Sequence, residues 1–167
     1  MLSLRALASV CAIVVVSACV TTPSEPAPPV LRLDAQGIQH TASQTRLDFG
    51  RAQDGVIDSI SRVLDERPTS VTTNAECGAG PVTAAAWSDG LTLNFQDDSF
   101  VGWVNSDPDL DVAGGFRAGQ PRVQMPQVSF QVTTLGSEFS RSDISGILTE
   151  DDERIRLLWA GTTCFFR

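Results

Sequence analysis

The sequence predicts an α+β domain, an antiparallel sheet with one or two short helices on one face, and three stretches carry that expectation. Residues 51–65 place Val56, Ile57, Ile60, Val63 and Leu64 on one apolar stripe at helical spacing, and Pro68 stops the pattern. Residues 91–104 change period: Leu91, Leu93 and Phe95 alternate with Thr92, Asn94 and Gln96, Asp97-Asp98 makes a turn, and residues 100–104 return. A further series of short strands follows, through Val128, Phe130 and Val132, then residues 146–149, then Ile155, Leu157 and Trp159, and finally residues 162–166. With 167 residues and 42% of them hydrophobic, the chain has material for one core.

The remaining elements fit around these. Leu31 and Leu33 alternate with Arg32 and Asp34, a short strand closed by Gly37. The acidic run Glu150, Asp151, Asp152 and Glu153 reads as a solvated hairpin turn. Gly136, Gly146 and Gly161 mark bends or strand ends. Trp87, Phe95, Phe100, Trp103, Phe130, Trp159, Phe165 and Phe166 are expected in strands, as core side chains. A faint repeat also runs through the chain. Gly90 leads through Asp97-Asp98 to Trp103, and Gly146 leads through Asp151-Asp152 to Trp159, thirteen residues apart each time. Gly37-Ile38 and Gly115-Phe116 are candidate starts of two such halves.

The N-terminus has a different character. Arg5 supplies a positive start, residues 7–16 form a short apolar run, and small residues precede Cys19. That run is too short for a bilayer core of roughly 30 Å and sits where a secretory signal sits. Val16-Ser17-Ala18-Cys19 resembles the lipobox of bacterial lipoproteins, in which the cysteine thiol is diacylated and the chain is cut before it. The resemblance implies a signal peptide over residues 1–18, a lipidated Cys19, a proline-rich tether to residue 30, and a single domain over residues 31–167. It implies a membrane held through the lipid anchor and, because Val20 and not Asp follows the cysteine, outer-membrane sorting facing the periplasm in a Gram-negative source.

On that reading Cys11 leaves with the signal and Cys19 becomes a thioether, so the domain keeps Cys77 and Cys164. An even pair delivered to an oxidising compartment predicts a disulfide, with two free buried thiols as the competing reading. Closing so long a loop contributes about 4–5 kcal/mol in the chain-entropy model. Charge excludes another class of partner. Of 12 basic residues, all Arg, only Arg5 precedes Cys19, leaving 11 against 20 acidic ones and a net charge of about −9. Such a surface repels phosphate backbones, so no nucleic-acid partner is expected.

Catalytic chemistry finds no foothold in the residues. His40 is the only histidine and has no Gly-x-Ser-x-Gly partner, so it reads as a surface residue. Gly78-Ala79-Gly80-Pro81 has no phosphate-binding lysine and reads as a turn. Asp107, Asp109 and Asp111 have the spacing that opens an EF-hand loop, but Val112 stands where its glycine belongs and Ala118 where its bidentate glutamate belongs. They are the weak metal candidates, with a plain acidic loop as the competing reading. No cofactor is expected.

The glycine-led strand, amphipathic helix, Pro68 and half-repeated hairpins together resemble the β-lactamase-inhibitor-protein-like architecture. They are also similar to the small lipoproteins of the outer-membrane barrel-assembly machinery. The segments Phe-Val-Gly-Trp at 100–103, Thr-Leu-Gly-Ser-Glu-Phe at 134–139 and Leu-Trp-Ala-Gly-Thr-Thr-Cys-Phe-Phe-Arg at 158–167 resemble uncharacterised bacterial secreted proteins. These resemblances imply a non-catalytic protein-binding module acting on another envelope protein. The alternatives are a small periplasmic hydrolase with unidentified carboxylates, or a structural envelope component.

Overall fold

The computed structural model describes residues 30–165, and within them sheet dominates. The chain begins with strands β1 (Leu31–Asp34), β2 (Gly37–His40) and β3 (Arg46–Asp48), passes through helix α1 (Gln53–Leu64), and continues as β4 (Ser70–Asn74), β5 (Val82–Ala86), β6 (Leu91–Gln96) and β7 (Ser99–Asn105). After the two-residue β8 (Asp111–Val112) and a 3-10 turn at Arg122–Gln124 come β9 (Phe130–Thr133), β10 (Gly136–Arg141), β11 (Ile144–Leu148) and β12 (Ile155–Gly161). Eight strands form one antiparallel sheet in the order β4-β5-β6-β7-β12-β11-β10-β9. Four form a second sheet, β3-β2-β1-β8, in which only β1 and β8 run parallel.

The helix and the 91–105 hairpin stand where their periodicity puts them. Val56 and Ile60 point the helical stripe into the core, and Asp65 ends the helix in a left-handed conformation that sends its amide back to the Ser61 carbonyl. Asp97 and Asp98 both have positive φ, 46° and 58°, the pattern of a tight turn whose twist suits a hairpin. Gly37 differs from expectation: it opens β2 instead of closing β1. Its φ of +149° turns the chain directly back, and a Cβ there would lie 2.1 Å from the Leu47 carbonyl oxygen.

One face of the large sheet carries the core. Leu91, Leu93, Phe95, Phe100, Trp103, Phe139, Ile144 and Leu158 meet Leu31, Leu33 and Ile38 of the small sheet and Val56 and Ile60 of the helix. The second layer is therefore half sheet and half helix, where the residues predicted helices alone. Trp103 joins the layers: it is fully buried, and its indole N–H donates to the Asp34 carbonyl at 2.8 Å. Beside that junction Arg46 grips the Asp34 carboxylate with two nitrogens, at 2.7 and 3.1 Å. Burial alone would raise the Asp34 carboxyl, but the Arg46 hydrogen bonds, the Gln36 amide, the Arg46 charge and the Gly37 amide outweigh it and hold it below its ordinary value.

The opposite face is closed by the chain's own end. Residues 162–165, expected as a strand, form none; Phe166 lies outside the described residues. They cross the outer face as a strap. Asn94 donates to the Thr162 carbonyl at 3.0 Å, and the Thr162 amide donates to the Val101 carbonyl at 2.8 Å. The crossing needs glycine. A Cβ on Gly102 would stand 2.3 Å from the Thr162 oxygen and 2.7 Å from its nitrogen. Phe165 then packs edge-on against Trp159, ring centres 4.9 Å apart, leaving that tryptophan 6% exposed.

The thirteen-residue spacing joins unlike places in this fold. Gly90 precedes β6 while Gly146 lies within β11, and Trp103 faces the core while Trp159 faces the strap. Among the described residues no helix is long and apolar enough to cross a membrane.

Candidate functional site

The tryptophans bear on any binding patch, because an exposed pair would mark one. Trp87, Trp103 and Trp159 are instead all buried, at 3%, 0% and 6% exposure. Trp87 donates its indole N–H to the Glu66 carbonyl, which docks the chain after α1 against the large sheet. No tryptophan is therefore exposed to mark a recognition face, and attention passes to the cysteines, the one histidine, the acidic loop and the sheet edges.

Cys77 lies in the turn between β4 and β5, and Cys164 in the strap, 87 positions later. The fold brings them together: their sulfurs are 2.6 Å apart, and the Asn74 amide donates to the Cys164 sulfur at 3.3 Å. In this structure both are free thiols in contact, and the expected disulfide is not formed. The contact with Cys77, with burial adding to it, pushes the Cys164 thiol above its ordinary value.

His40 sits at the end of β2, on the loop to β3. The Ser43 amide donates to its Nδ1 at 2.9 Å, and the Ser43 hydroxyl oxygen lies 2.6 Å from the same nitrogen. This Ser–His contact differs in geometry from a general base poised on a nucleophile. A general base needs its lone pair for the hydroxyl proton, and here a backbone amide already occupies it. Among the described residues no carboxylate accepts the other ring N–H, so nothing orients the ring as a triad requires. The contact is a local cap on a tight loop.

Behind that loop lies an apolar slot of about 240 Å³. Leu31, Ile38 and Leu47 form the sheet wall, Ile60 and Val63 the helix wall, and His40, Ser43, Thr45, Ser59 and Arg62 the rim. Its helix wall belongs to the apolar stripe visible in the sequence. The rim does not, because His40 and Arg62 come to line one slot only after the small sheet packs on α1.

The acidic loop is dispersed. Asp107 accepts the Asp109 amide at 2.8 Å, and Asp111 pairs with Arg32 at 3.4 Å. Asn105 holds the loop from both sides, donating to the Asp107 carbonyl and accepting its amide. Burial, with the nearby charges of Asp109 and Asp89, raises the Asp107 carboxyl against the pull of the Asp109 amide. Asp107, Asp109 and Asp111 thus serve turn geometry and an ion pair. Among the described residues no group of three His, Cys, Asp or Glu side chains is arranged to hold a metal ion.

The edges of the sheets differ in how they are guarded. In the small sheet, β3 is three residues long and carries Arg46 and Asp48, and β8 has only two residues. In the large sheet, β4 reads Ser-Val-Thr-Thr-Asn and β9 reads Phe-Gln-Val-Thr, with no charge and no proline in either. Exposed edges are ordinarily blunted by those devices, because unpaired N–H and C=O groups template another strand. Four of the five β4 residues are exposed, and Val71 is 50% exposed. Neither a family model, nor a curated protein, nor a solved structure matches the chain, so the architectural resemblance rests on the residues quoted for it.

Proposed function

We propose that the chain is a lipid-anchored protein of the bacterial envelope whose domain works by binding another envelope protein, without catalysis. The observation that carries the binding mode is the unguarded β4 edge. A partner's extended segment added there gains main-chain hydrogen bonds along five residues, and alternate side chains such as Val71 supply selectivity. Lipidation at Cys19 and the tether to residue 30 would hold this edge within reach of the outer membrane's periplasmic side. The Cys77–Cys164 contact supports oxidation to a disulfide after export. Common ancestry of the two hairpins is proposed on the glycine-to-tryptophan spacing alone and says nothing about activity.

The test is crosslinking in intact envelopes followed by capture, comparing the wild type with Val71→Lys. A lysine at a half-exposed edge position leaves the core untouched and obstructs strand addition. The wild type should enrich a defined partner over a lipid-anchored control, and the variant should lose it at an unchanged melting temperature. Equal capture by both proteins, or none above the control, would sink the proposal.

A further inference from the structure

We propose that the slot between α1 and the β2–β3 hairpin is a binding site for a short straight-chain aliphatic carboxylate. The site is separate from the β4 edge and does not depend on it. Its walls are aliphatic, with Ile38 and Leu47 facing Ile60 and Val63, and the one ring that lines it, the His40 imidazole, stands at the rim, which suits a flexible chain better than a flat one. At about 240 Å³ it is smaller than the roughly 300–1,000 Å³ of pockets that hold drug-sized ligands. A single short chain matches that size.

The rim selects the head group. The one charged residue lining the slot is Arg62, in a protein of net charge −8. Its Nε–H donates to the Asp58 carbonyl at 3.0 Å, which fixes the plane of the guanidinium. Like most arginines of the described residues, Arg62 has no carboxylate within ion-pair distance among them, and it is the one arginine that lines the slot. Asp58, Asp65 and Glu66, together with Arg67, line an open dish on its other side, and none of the three carboxylates comes within ion-pair distance of it. A carboxylate at the mouth therefore meets two available terminal nitrogens, while its chain replaces water against five aliphatic side chains.

The experiment is a calorimetric titration of the purified full chain with straight-chain carboxylates of increasing length, each below its micelle-forming concentration, beside the alcohols of equal length. Each added methylene should tighten binding about fourfold, from the roughly 0.8 kcal/mol of a buried CH₂, until the slot is full, after which affinity levels off. The acid should bind about five- to tenfold tighter than the alcohol, the range for a partly exposed charged hydrogen bond. Arg62→Gln, at an exposed position, should erase that advantage and leave the alcohol unchanged. Val63→Trp, with its fold checked by melting, should abolish both. Equal affinity of acid and alcohol for the wild type, an acid preference that survives Arg62→Gln, affinity that keeps rising with length, or no binding at any length would each overturn the proposal.

Discussion

Replacing Gly102 by alanine tests the strap more sharply than any change in the strap itself. The added Cβ meets three backbone atoms, the Thr162 oxygen at 2.3 Å, the Thr162 nitrogen at 2.7 Å and the Ala160 oxygen at 2.9 Å. No rotamer relieves a collision with backbone, so the strap must lift. Overpacking a tight site costs about 1–3 kcal/mol. Lifting also gives up the Asn94–Thr162 and Thr162–Val101 hydrogen bonds, about 1 kcal/mol each. It further loosens the Trp159–Phe165 ring contact, about 0.5–1.5 kcal/mol. These losses overlap, because a fully lifted strap no longer collides and leaves only the 2.9 Å approach to the Ala160 oxygen of β12, so the expected total is about 3 kcal/mol. Against a typical stability of about 5–15 kcal/mol the variant still folds. Urea unfolding followed by tryptophan fluorescence measures the loss, and acrylamide quenching in the native state reports whether Trp159 is uncovered. A midpoint within about 0.5 kcal/mol of wild type, with unchanged quenching, would refute the reasoning.

Three further outcomes follow from the same geometry. The Asp34 carboxyl is held below its ordinary value, so the stability it supplies is complete above about pH 4 and is lost as pH falls through its lower native value. Asp34→Asn should flatten that acid limb of a stability–pH curve, and an unchanged limb would remove Asp34 as its source. If the thiol pair is oxidised in the exported chain, Cys164→Ser should cost up to about 4–5 kcal/mol in urea under oxidising conditions and far less once dithiothreitol is present. The same deficit with and without reductant would contradict a disulfide. Trp103→Phe leaves the Asp34 carbonyl without its buried donor and opens space beside it, so it should cost about 2–4 kcal/mol in chemical unfolding; a loss below about 1 kcal/mol would show that the two layers are joined elsewhere.

What could be read from the residues, and what could not, follows from how local each signal is. The helix and the 91–105 hairpin declare themselves, because Ile60 and Val63, or Leu93 and Phe95, repeat at the period of the element they build. The edge strand β4 and its neighbour β5 were silent in that respect. Ser-Val-Thr-Thr-Asn has one aliphatic side chain, and Val-Thr-Ala-Ala-Ala is packed with small residues that strands ordinarily avoid. β10 is equally quiet, with Phe139 its only large apolar side chain. Residues 162–165 mislead in the other direction: an apolar end resembles a strand, but it crosses the strands that it covers. Cysteine parity predicted a Cys77–Cys164 disulfide; the fold brings the two into contact as free thiols. The rim of the slot was invisible, since His40 and Arg62 are 22 positions apart and nothing in either neighbourhood refers to the other.

Mass spectrometry of the chain extracted from its own membranes tests the lipid-anchored reading most directly. The N-terminal fragment should begin at Cys19 and carry a diacylglyceryl thioether, and the peptides holding Cys77 and Cys164 should leave the column linked until reductant is added. A fragment that begins at another residue, or an unmodified thiol at position 19, would contradict export by this route and take the envelope function with it.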